Sequence, residues 1–447
     1  MPPLPIPGPR RRYPGEFAVA TMRRPLDFFS GLARTHGDVA GIRIAGQLVV
    51  VVSHPDRIRD VLVTHGRTFH KGRGLERAKM LLGEGLLTSE DELHLRQRRL
   101  AQPAFHRARI AAYAETMATY AARRAEGWRN GQTLDVSREM AAYTLAVVGK
   151  TLFDADIEGE AHEIGEALAA AIAAFNFSVL PFGELLVKLP LPMTIRFRRG
   201  RERLDATIYR LIAERRAAGD DRGDLLSMLL LAHDTEGDGT GMSDLQLRDE
   251  AMTLLLAGHE TTANLLAWTF YLLSQHPDAE ARLHAEIDAL GADSLGADDL
   301  ARLPYTRAVL TETMRLFPPA WIVGRRAMSE YALGEHVLPP RSIVLMSQWI
   351  VHRDPRWWPD AELFQPERWL PGGSALDAAR PKFSYFPFGA GTRICIGEQF
   401  AWLEGTLALA TIARRWRLRL SPGAPVVPQP IITLRVRGGL SMTAHAR

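Results

Sequence analysis

The only cysteine of this chain, Cys395, lies in a run of residues that could make its sulfur a metal ligand. The run FPFGAGTRICIG spans residues 386–397 and leads into a helix-like stretch. Backbone N–H groups of the glycines, the charge of Arg393 and the dipole of the following helix each favour a thiolate over a thiol. We therefore predict a metal-binding thiolate; the alternative is a structural cysteine buried beside a turn.

A second candidate is the acid–alcohol pair Glu260-Thr261, in the middle of a long predicted helix. Ser243 and Gln246 have the spacing of a capping box at its start, and Pro277 marks its end. Burying an acid and a hydroxyl among apolar residues costs free energy unless other interactions compensate for it. The hydroxyl of Thr261 could turn to the helix backbone or to a bound ligand.

Spacing excludes two other chemistries. The pair His259-Glu260 begins the zinc-protease pattern HExxH, but Ala263 stands where the second histidine is required. The glycine pairs at 83 and 85 and at 389 and 391 are too short for a dinucleotide fingerprint, and they lack its strand–turn–helix setting. Neither a zinc protease nor a nucleotide-binding enzyme is therefore predicted.

Two pairs of charged residues recur at helical spacing. Glu312 and Arg315 lie three apart, and His94 and Arg98 lie four apart, so each pair shares one face of a predicted helix. Downstream of the first pair comes the stretch PERW at 366–369. Taken alone, each pair is more typical of a solvated helix face than of a site.

The elements that must position these residues are mostly helical. Residues 41–53 predict a β-hairpin, and short strands are predicted near 341–346 and 431–435. From about residue 95 onward, apolar residues recur mainly at helical spacing. Residues 1–20 form a proline-rich, extended lead-in. With 46% hydrophobic residues, the chain of 447 residues can bury a large core.

In their order along the chain, these motifs resemble those of the cytochrome P450 family. Residues 386–397 match F-x-x-G-x-R-x-C-x-G at every fixed position, and residues 257–262 match A/G-G-x-D/E-T-T/S. The resemblance covers about residues 26–440. It implies the cytochrome P450 fold, mainly α with small β-sheets and a long central helix over haem, in a single domain of residues 1–447.

The resemblance further implies a haem b cofactor with Cys395 as its axial thiolate. Phe388 would lie beside the sulfur, and Gly391 and Gly397 would allow close backbone approach or positive φ. Contacts to the haem propionates are expected from basic residues, namely His94, Arg98, Arg393 and Arg325, with Arg326 competing for the last place and His352 as a weaker candidate.

Catalytic and scaffolding roles follow from the same resemblance. Glu260 and Thr261 would relay protons during oxygen activation. Glu312, Arg315 and Arg368 would form a buried triad that locks the loop bearing Cys395, because an unpaired buried charge is costly.

The segments that face substrate in this family carry no charge here. An apolar pocket selects apolar ligands by burial, so we expect a monooxygenase acting on a terpenoid or another neutral, lipid-like molecule. A fatty-acid hydroxylase, a peroxide-driven haem enzyme and a haem-based ligand-binding protein remain alternatives. The predicted lining consists of Met80, Leu81, Leu82, Phe175, Phe177, Val179, Leu180, Phe182, Ala257, Trp321, Ile322, Val323, Ile431 and Ile432.

Composition limits the partners and the location. The net charge of +4, from 55 basic and 51 acidic residues, does not favour nucleic acid. No run of about 18 apolar residues predicts a membrane span, and the first residues lack the apolar core of a signal peptide. We expect a bacterial, cytoplasmic protein. Because no flavin or iron–sulfur motif is present, electrons are expected from a ferredoxin and its reductase, docked near Arg98, Arg99 and Arg393.

Overall fold

The computed structural model describes residues 5–155, 164–165, 167, 189–219, 221–234, 239–291, 295–423 and 425–447. Helices dominate these residues, as the sequence predicts. They are α1 (Glu16–Arg23), α2 (Pro25–His36), α3 (Pro55–Arg59), α4 (Arg73–Leu82), α5 (Asp91–Ala101), α6 (Arg107–Ala112), α7 (Ala114–Glu126), α8 (Val136–Phe153), α9 (Pro192–Ala218), α10 (Leu225–Leu231), α11 (Asp244–Gln275), α12 (Pro277–Asp288), α13 (Pro304–Leu316), α14 (Gln348–Val351) and α15 (Glu398–Arg415).

The strands form small sheets. Five of them pair in the order β1-β2-β8-β5-β3, three in the order β4-β12-β9, and β6 with β7 and β10 with β11 make two-stranded sheets. Their bounds are β1 (Val39–Ile44), β2 (Gln47–Val52), β3 (Phe69–Lys71), β4 (Thr133–Asp135), β5 (Val323–Ala327), β6 (Tyr331–Leu333), β7 (His336–Leu338), β8 (Ile343–Met346), β9 (Trp416–Leu420), β10 (Pro428–Pro430), β11 (Leu434–Val436) and β12 (Ser441–Ala446).

The hairpin predicted at residues 41–53 is present as β1 and β2, which pair antiparallel from Val39 opposite Val52. All four valines of β2 are buried because both faces of the sheet are covered. Val50 and Val52 pack into one apolar cluster, whereas Val49 and Val51 pack into another that includes residues of α2. The run of β-branched residues is thus that of a strand buried on both sides.

Two predicted boundaries differ from the structure. The strand expected near 431–435 is instead a turn followed by β11, since the Ile431 N–H donates to the Thr433 carbonyl oxygen at 3.0 Å. The lead-in was predicted to extend to residue 20, but α1 begins at Glu16. Earlier in the lead-in, the Pro7 carbonyl accepts a hydrogen bond from the Gly41 N–H at 2.7 Å, so this segment packs beside β1.

The long helix α11 has the predicted ends. Ser243 and Gln246 form both hydrogen bonds of a capping box, and the helix ends at Gln275. Most of its side chains from Leu247 to Leu273 are buried. Ala257, Gly258 and Thr261 are partly exposed in the middle of this buried stretch.

Gly258 of α11 lies at the contact with a neighbouring helix. In the structure, a Cβ at this position would lie 3.1 Å from a methyl carbon of Val148 on α8. The glycine therefore serves the close packing of two helices. No helix in the described part of the chain combines the length and apolarity needed to cross a membrane.

Candidate active site

The Cys395 loop is a folded turn that requires glycine at two places. Gly389 and Gly391 both have φ of 71°, and a Cβ on Gly391 would lie 2.2 Å from the Leu62 carbonyl oxygen. The loop closes on itself because the Cys395 N–H donates to the Phe388 carbonyl at 3.0 Å. Gly397 was predicted to need the same freedom, but its φ is −87° and a Cβ there would meet no protein atom within 3.9 Å.

Burial raises the pKa of the Cys395 thiol to about 11, whereas the Gly397 N–H and the Arg98 charge lower it. The backbone N–H thus favours the thiolate, as predicted, but desolvation of the charged form outweighs it. The Cys395 side chain is exposed, so its sulfur is accessible to a ligand. A bound metal would supply the charge that deprotonation needs.

Basic side chains converge near one end of the Cys395 loop. Lys71 on β3 and Arg325 on β5 stand directly opposite each other in the antiparallel register, and both are buried. Arg393 from the loop donates to Glu90 at 2.7 Å and to the Phe69 carbonyl at 2.8 Å. His94 lies beside Lys71, with 3.4 Å between Nδ1 and Nζ.

This cluster is short of negative charge. Burial lowers the pKa of Lys71 to about 7, that of His94 to about 4 and that of Arg325 to about 10. Nε2 of His94 and Nε of Arg393 are buried without a hydrogen-bond partner. Buried like charges are costly unless an anion lies between them. These residues fit the two carboxylates of a haem, and Lys71 is a member that the sequence reasoning missed.

The other residues predicted to contact the propionates have other bonding partners in the structure. Arg98 donates to the Ile394 carbonyl at 2.8 Å, which ties α5 to the Cys395 loop. Arg326 forms an ion pair with Glu76, so Arg325, and not its neighbour, belongs to the basic cluster. His352 was wrongly assigned, because it is fully buried and its Nε2 accepts from the Phe386 N–H at 3.1 Å.

Glu312, Arg315 and Arg368 meet in the interior. The Arg315 guanidinium donates twice to the Glu312 carboxylate at 2.8 Å, and Arg368 Nε lies 3.4 Å from the same group. Arg315 also donates to the His352 carbonyl at 2.8 Å. The ring of His352 accepts the N–H of Phe386. Hydrogen bonds through Arg315 and His352 therefore connect the Glu312 carboxylate to the start of the Cys395 loop.

The two members of the acid–alcohol pair contact different parts of the chain. The Thr261 hydroxyl donates to the Ala257 carbonyl at 2.8 Å, one turn earlier in α11. The Glu260 carboxylate instead accepts from Thr433 at 2.6 Å and from Arg435 through two nitrogens. Neither Thr433 nor Arg435 was expected from the sequence, because 173 and 175 residues separate them from Glu260.

The predicted pocket residues are only partly described. Phe175, Phe177, Val179, Leu180 and Phe182 lie outside the described residues. Leu81 and Leu82 are buried in the main core. Trp321 lies in the apolar cluster beside α2, and its indole N–H donates to the Ile431 carbonyl at 3.1 Å. The remaining members are half-buried, namely Met80, Ala257, Ile322, Val323, Ile431 and Ile432.

The predicted docking arginines each contact other residues of the chain, and Arg99 is also exposed. Arg99 makes a bidentate contact with Asp234 at 2.9–3.0 Å, and Arg393 and Arg98 have the partners given above. Arg307 on α13 is a different cation near this loop. Its guanidinium lies 3.4 Å from the centre of the Trp402 ring, which packs 5.6 Å from the ring of Phe388. The docking surface expected from Arg98, Arg99 and Arg393 stays a prediction.

Comparison with known proteins gives consistent matches. The family model described as cytochrome P450 matches residues 2–438. Cyclooctatin synthase of Streptomyces melanosporofaciens is 44% identical over 96% of this chain and 93% of its own length. Pentalenene oxygenase of Streptomyces avermitilis is 38% identical over 92% and 91%.

A second relative from Streptomyces melanosporofaciens is cyclooctat-9-en-7-ol 5-monooxygenase, 41% identical over 91% of this chain and 87% of its own length. Among solved structures, a cyanobacterial cytochrome P450 with bound retinoic acid superposes with a TM-score of 0.89 at 27% identity. That match covers 99% of this chain and all of the other. The predicted fold is thereby confirmed.

Proposed function

Because the chain belongs to the cytochrome P450 family and is a monooxygenase with a haem-thiolate iron cofactor, we propose that it hydroxylates a neutral terpenoid. The observation that carries this proposal is the uncharged, partly exposed middle of α11. Ala257 and Thr261 are partly exposed on a helix that is otherwise mostly buried. Two relatives are named for the oxygenation of cyclooctat-9-en-7-ol and of pentalenene, and a third for the synthesis of cyclooctatin; uncharged pocket residues suit such neutral molecules.

We further propose haem b as the form of the cofactor. When bound, it supplies the iron chemistry that inserts one atom of O₂ into a C–H bond and reduces the other to water. Cys395 Sγ would bind the iron. Lys71, Arg325, Arg393 and His94 would hold the two propionates, and the two buried nitrogens without partners would gain acceptors.

The chain's own residues supply protons and exclude water. Thr261 is partly exposed, and its hydroxyl donates to the Ala257 carbonyl. We assign it the last position of the proton path, with the Glu260 carboxylate as the preceding one. The half-buried apolar side chains of Val323, Ile431 and Ile432 would orient substrate and keep water from the C–H bond.

Electrons are proposed to come from a separate ferredoxin and its reductase, in the cytoplasm. Arg307 stacks on the Trp402 ring, and that ring packs against Phe388. Its guanidinium therefore offers a positive contact for an acidic donor near the Cys395 loop. It adds a fourth cation to the docking residues expected from the sequence, of which Arg99 is exposed.

A fatty-acid substrate would need a cation in the pocket. The pocket candidates that the structure describes are uncharged, so we favour a neutral ligand. We expect the ferric, haem-loaded protein to show a saturable low-spin to high-spin change with terpenes. Fatty acids of equal carbon number should produce no such change, because burying their carboxylate unpaired is costly.

Optical titration with matched terpene and fatty-acid panels tests this prediction. A response to terpenes alone supports the proposal. A response to fatty acids alone contradicts it and would show that a carboxylate anchor was missed, with Arg196 to Arg199 the first residues to replace.

A further inference from the structure

The acid of the acid–alcohol pair is held from outside its own helix. The C-terminal strand β11 brings Arg435 against Glu260, and two guanidinium nitrogens donate to the two carboxylate oxygens. Thr433 donates to Oε1 at 2.6 Å. Asn264, one helical turn after Glu260, donates to Oε1 at 3.0 Å and to the Thr433 hydroxyl at 3.2 Å. Both carboxylate oxygens are therefore engaged.

These contacts decide the charge of the acid. Burial by itself would raise the pKa of Glu260, but the charge and the hydrogen bonds of Arg435 lower it below its ordinary value, with smaller contributions from His259 and Thr433. Arg435 and His259 are the charged or titratable groups that act on the carboxyl from the hairpin and from α11. Of the pair, Glu260 is buried while Arg435 keeps 26% of its side chain exposed, so the contact connects the acid to the protein surface.

Thr433 and Arg435 belong to a segment that further hydrogen bonds fix in place. Residues 431–433 connect β10 to β11, and the Ile431 carbonyl accepts from the Trp321 indole at 3.1 Å. Beyond the turn, the Leu434 carbonyl accepts from the Trp268 indole on α11 at 2.9 Å. Two tryptophans thus hold the turn from opposite sides of Thr433.

The same turn carries two of the proposed substrate contacts. Ile431 and Ile432 come directly before Thr433 in the chain and are half-buried. Leu434, between Thr433 and Arg435, is fully buried. A substrate that presses on Ile431 or Ile432 therefore acts on a segment of five residues that also holds the acid.

We propose that Arg435 and Thr433 are positioning residues for Glu260, and that their place on the turn bearing Ile431 and Ile432 transmits the fit of the substrate to the proton path. The inference deepens the proposed function and rests on it. It assigns a task to two residues that lie outside the family motifs quoted above.

Infrared titration of the ferric, haem-loaded protein tests the positioning role without turnover. In the unaltered protein, the Glu260 carboxyl should show no protonation from pH 5 to pH 9. In Arg435→Gln the buried acid loses its cation, and desolvation can raise the pKa of a fully buried carboxyl by up to about 3–5 pH units. A protonated carboxyl band should then appear on acidification through the neutral range.

The assignment of that band is checked by a second variant. It should be absent from Glu260→Gln/Arg435→Gln, which has the same loss of the arginine but no titratable acid. Arg437→Gln is the matched control, because Arg437 is exposed on the same hairpin and makes only a backbone hydrogen bond, to Val427. It should titrate like the unaltered protein. A band that is absent from Arg435→Gln, or that persists in the double variant, overturns the positioning role.

The substrate link has its own readout. Saturation of the unaltered protein with the terpene that gives the largest spin change should shift the Glu260 carboxylate band, and product formed per electron should vary with pH in Arg435→Gln but not in Arg437→Gln. A carboxylate band unmoved by any spin-shifting ligand overturns the link. A failure of all terpenes to change the spin state would instead count against the proposed substrate, and the pH titration of the free protein would still decide the role of Arg435.

Discussion

Replacing Glu312 by alanine is expected to lower the free energy of unfolding by about 3–5 kcal/mol, the usual cost of removing one partner from a buried ion pair. The carboxylate has no exposed surface. Its removal would leave the charges of Arg315 and Arg368 without their counter-ion, and the Trp369 indole N–H and the Gln365 backbone N–H without an acceptor. Since Arg315 is hydrogen-bonded to His352, which holds Phe386, the damage should reach the Cys395 loop and reduce haem content.

Urea unfolding of the haem-loaded protein, with haem content per chain, measures both effects. Glu126→Ala is the matched control, because Glu126 pairs with Arg415 at 3.0 Å while both side chains are about half exposed. Exposed pairs of this kind contribute roughly 0–1 kcal/mol. If Glu312→Ala does not fold, Glu312→Gln keeps the volume and removes only the charge. Equal losses in the Glu312 variants and in Glu126→Ala would contradict a scaffolding role for the triad.

Replacing Thr261 by alanine is expected to separate electron consumption from hydroxylation. Thr261 Oγ is the half-exposed hydroxyl of the pair, and positioned acid–base groups contribute roughly 10²–10⁴-fold to the steps that they serve. Product formed per electron pair should therefore fall by about tenfold or more, with hydrogen peroxide released in its place. Binding of substrate should change little, because the variant removes one methyl and one hydroxyl group.

Product and peroxide are measured together at constant electron supply. Thr269→Ala is the control, since the Thr269 hydroxyl donates to the Leu265 carbonyl at 2.8 Å in the same helix and with the same geometry, but is fully buried. It should leave the coupling unchanged. Coupling unchanged in Thr261→Ala, or a loss as large in Thr269→Ala, would contradict the proton role. Product formation sustained by added peroxide alone would favour the peroxide-driven alternative.

Local chemistry explains which parts of the site could be predicted from sequence. The capping box at Ser243, the hairpin of β1 and β2 and the positive φ of Gly391 depend on neighbours within a few residues. Such features leave a pattern in the sequence that can be interpreted without the fold.

Long-range pairing explains what was missed. Lys71 joins the basic cluster only because β3 pairs with β5, which places it opposite Arg325. Arg435 meets Glu260 across 175 residues. No local pattern indicates either contact. The pKa of Cys395 was misjudged for a related reason, since desolvation depends on everything that packs around the loop, whereas the nearby donors were visible in the sequence.

The central claim is that Cys395 is the axial ligand of a haem, and the carbon monoxide adduct of the ferrous protein tests it most directly. Because the chain has one cysteine, no second thiolate can take its place. We expect the red-shifted Soret band of a thiolate-ligated adduct from the unaltered protein and the shorter-wavelength band of a histidine-ligated adduct from Cys395→His. The same spectrum from both proteins would contradict the account.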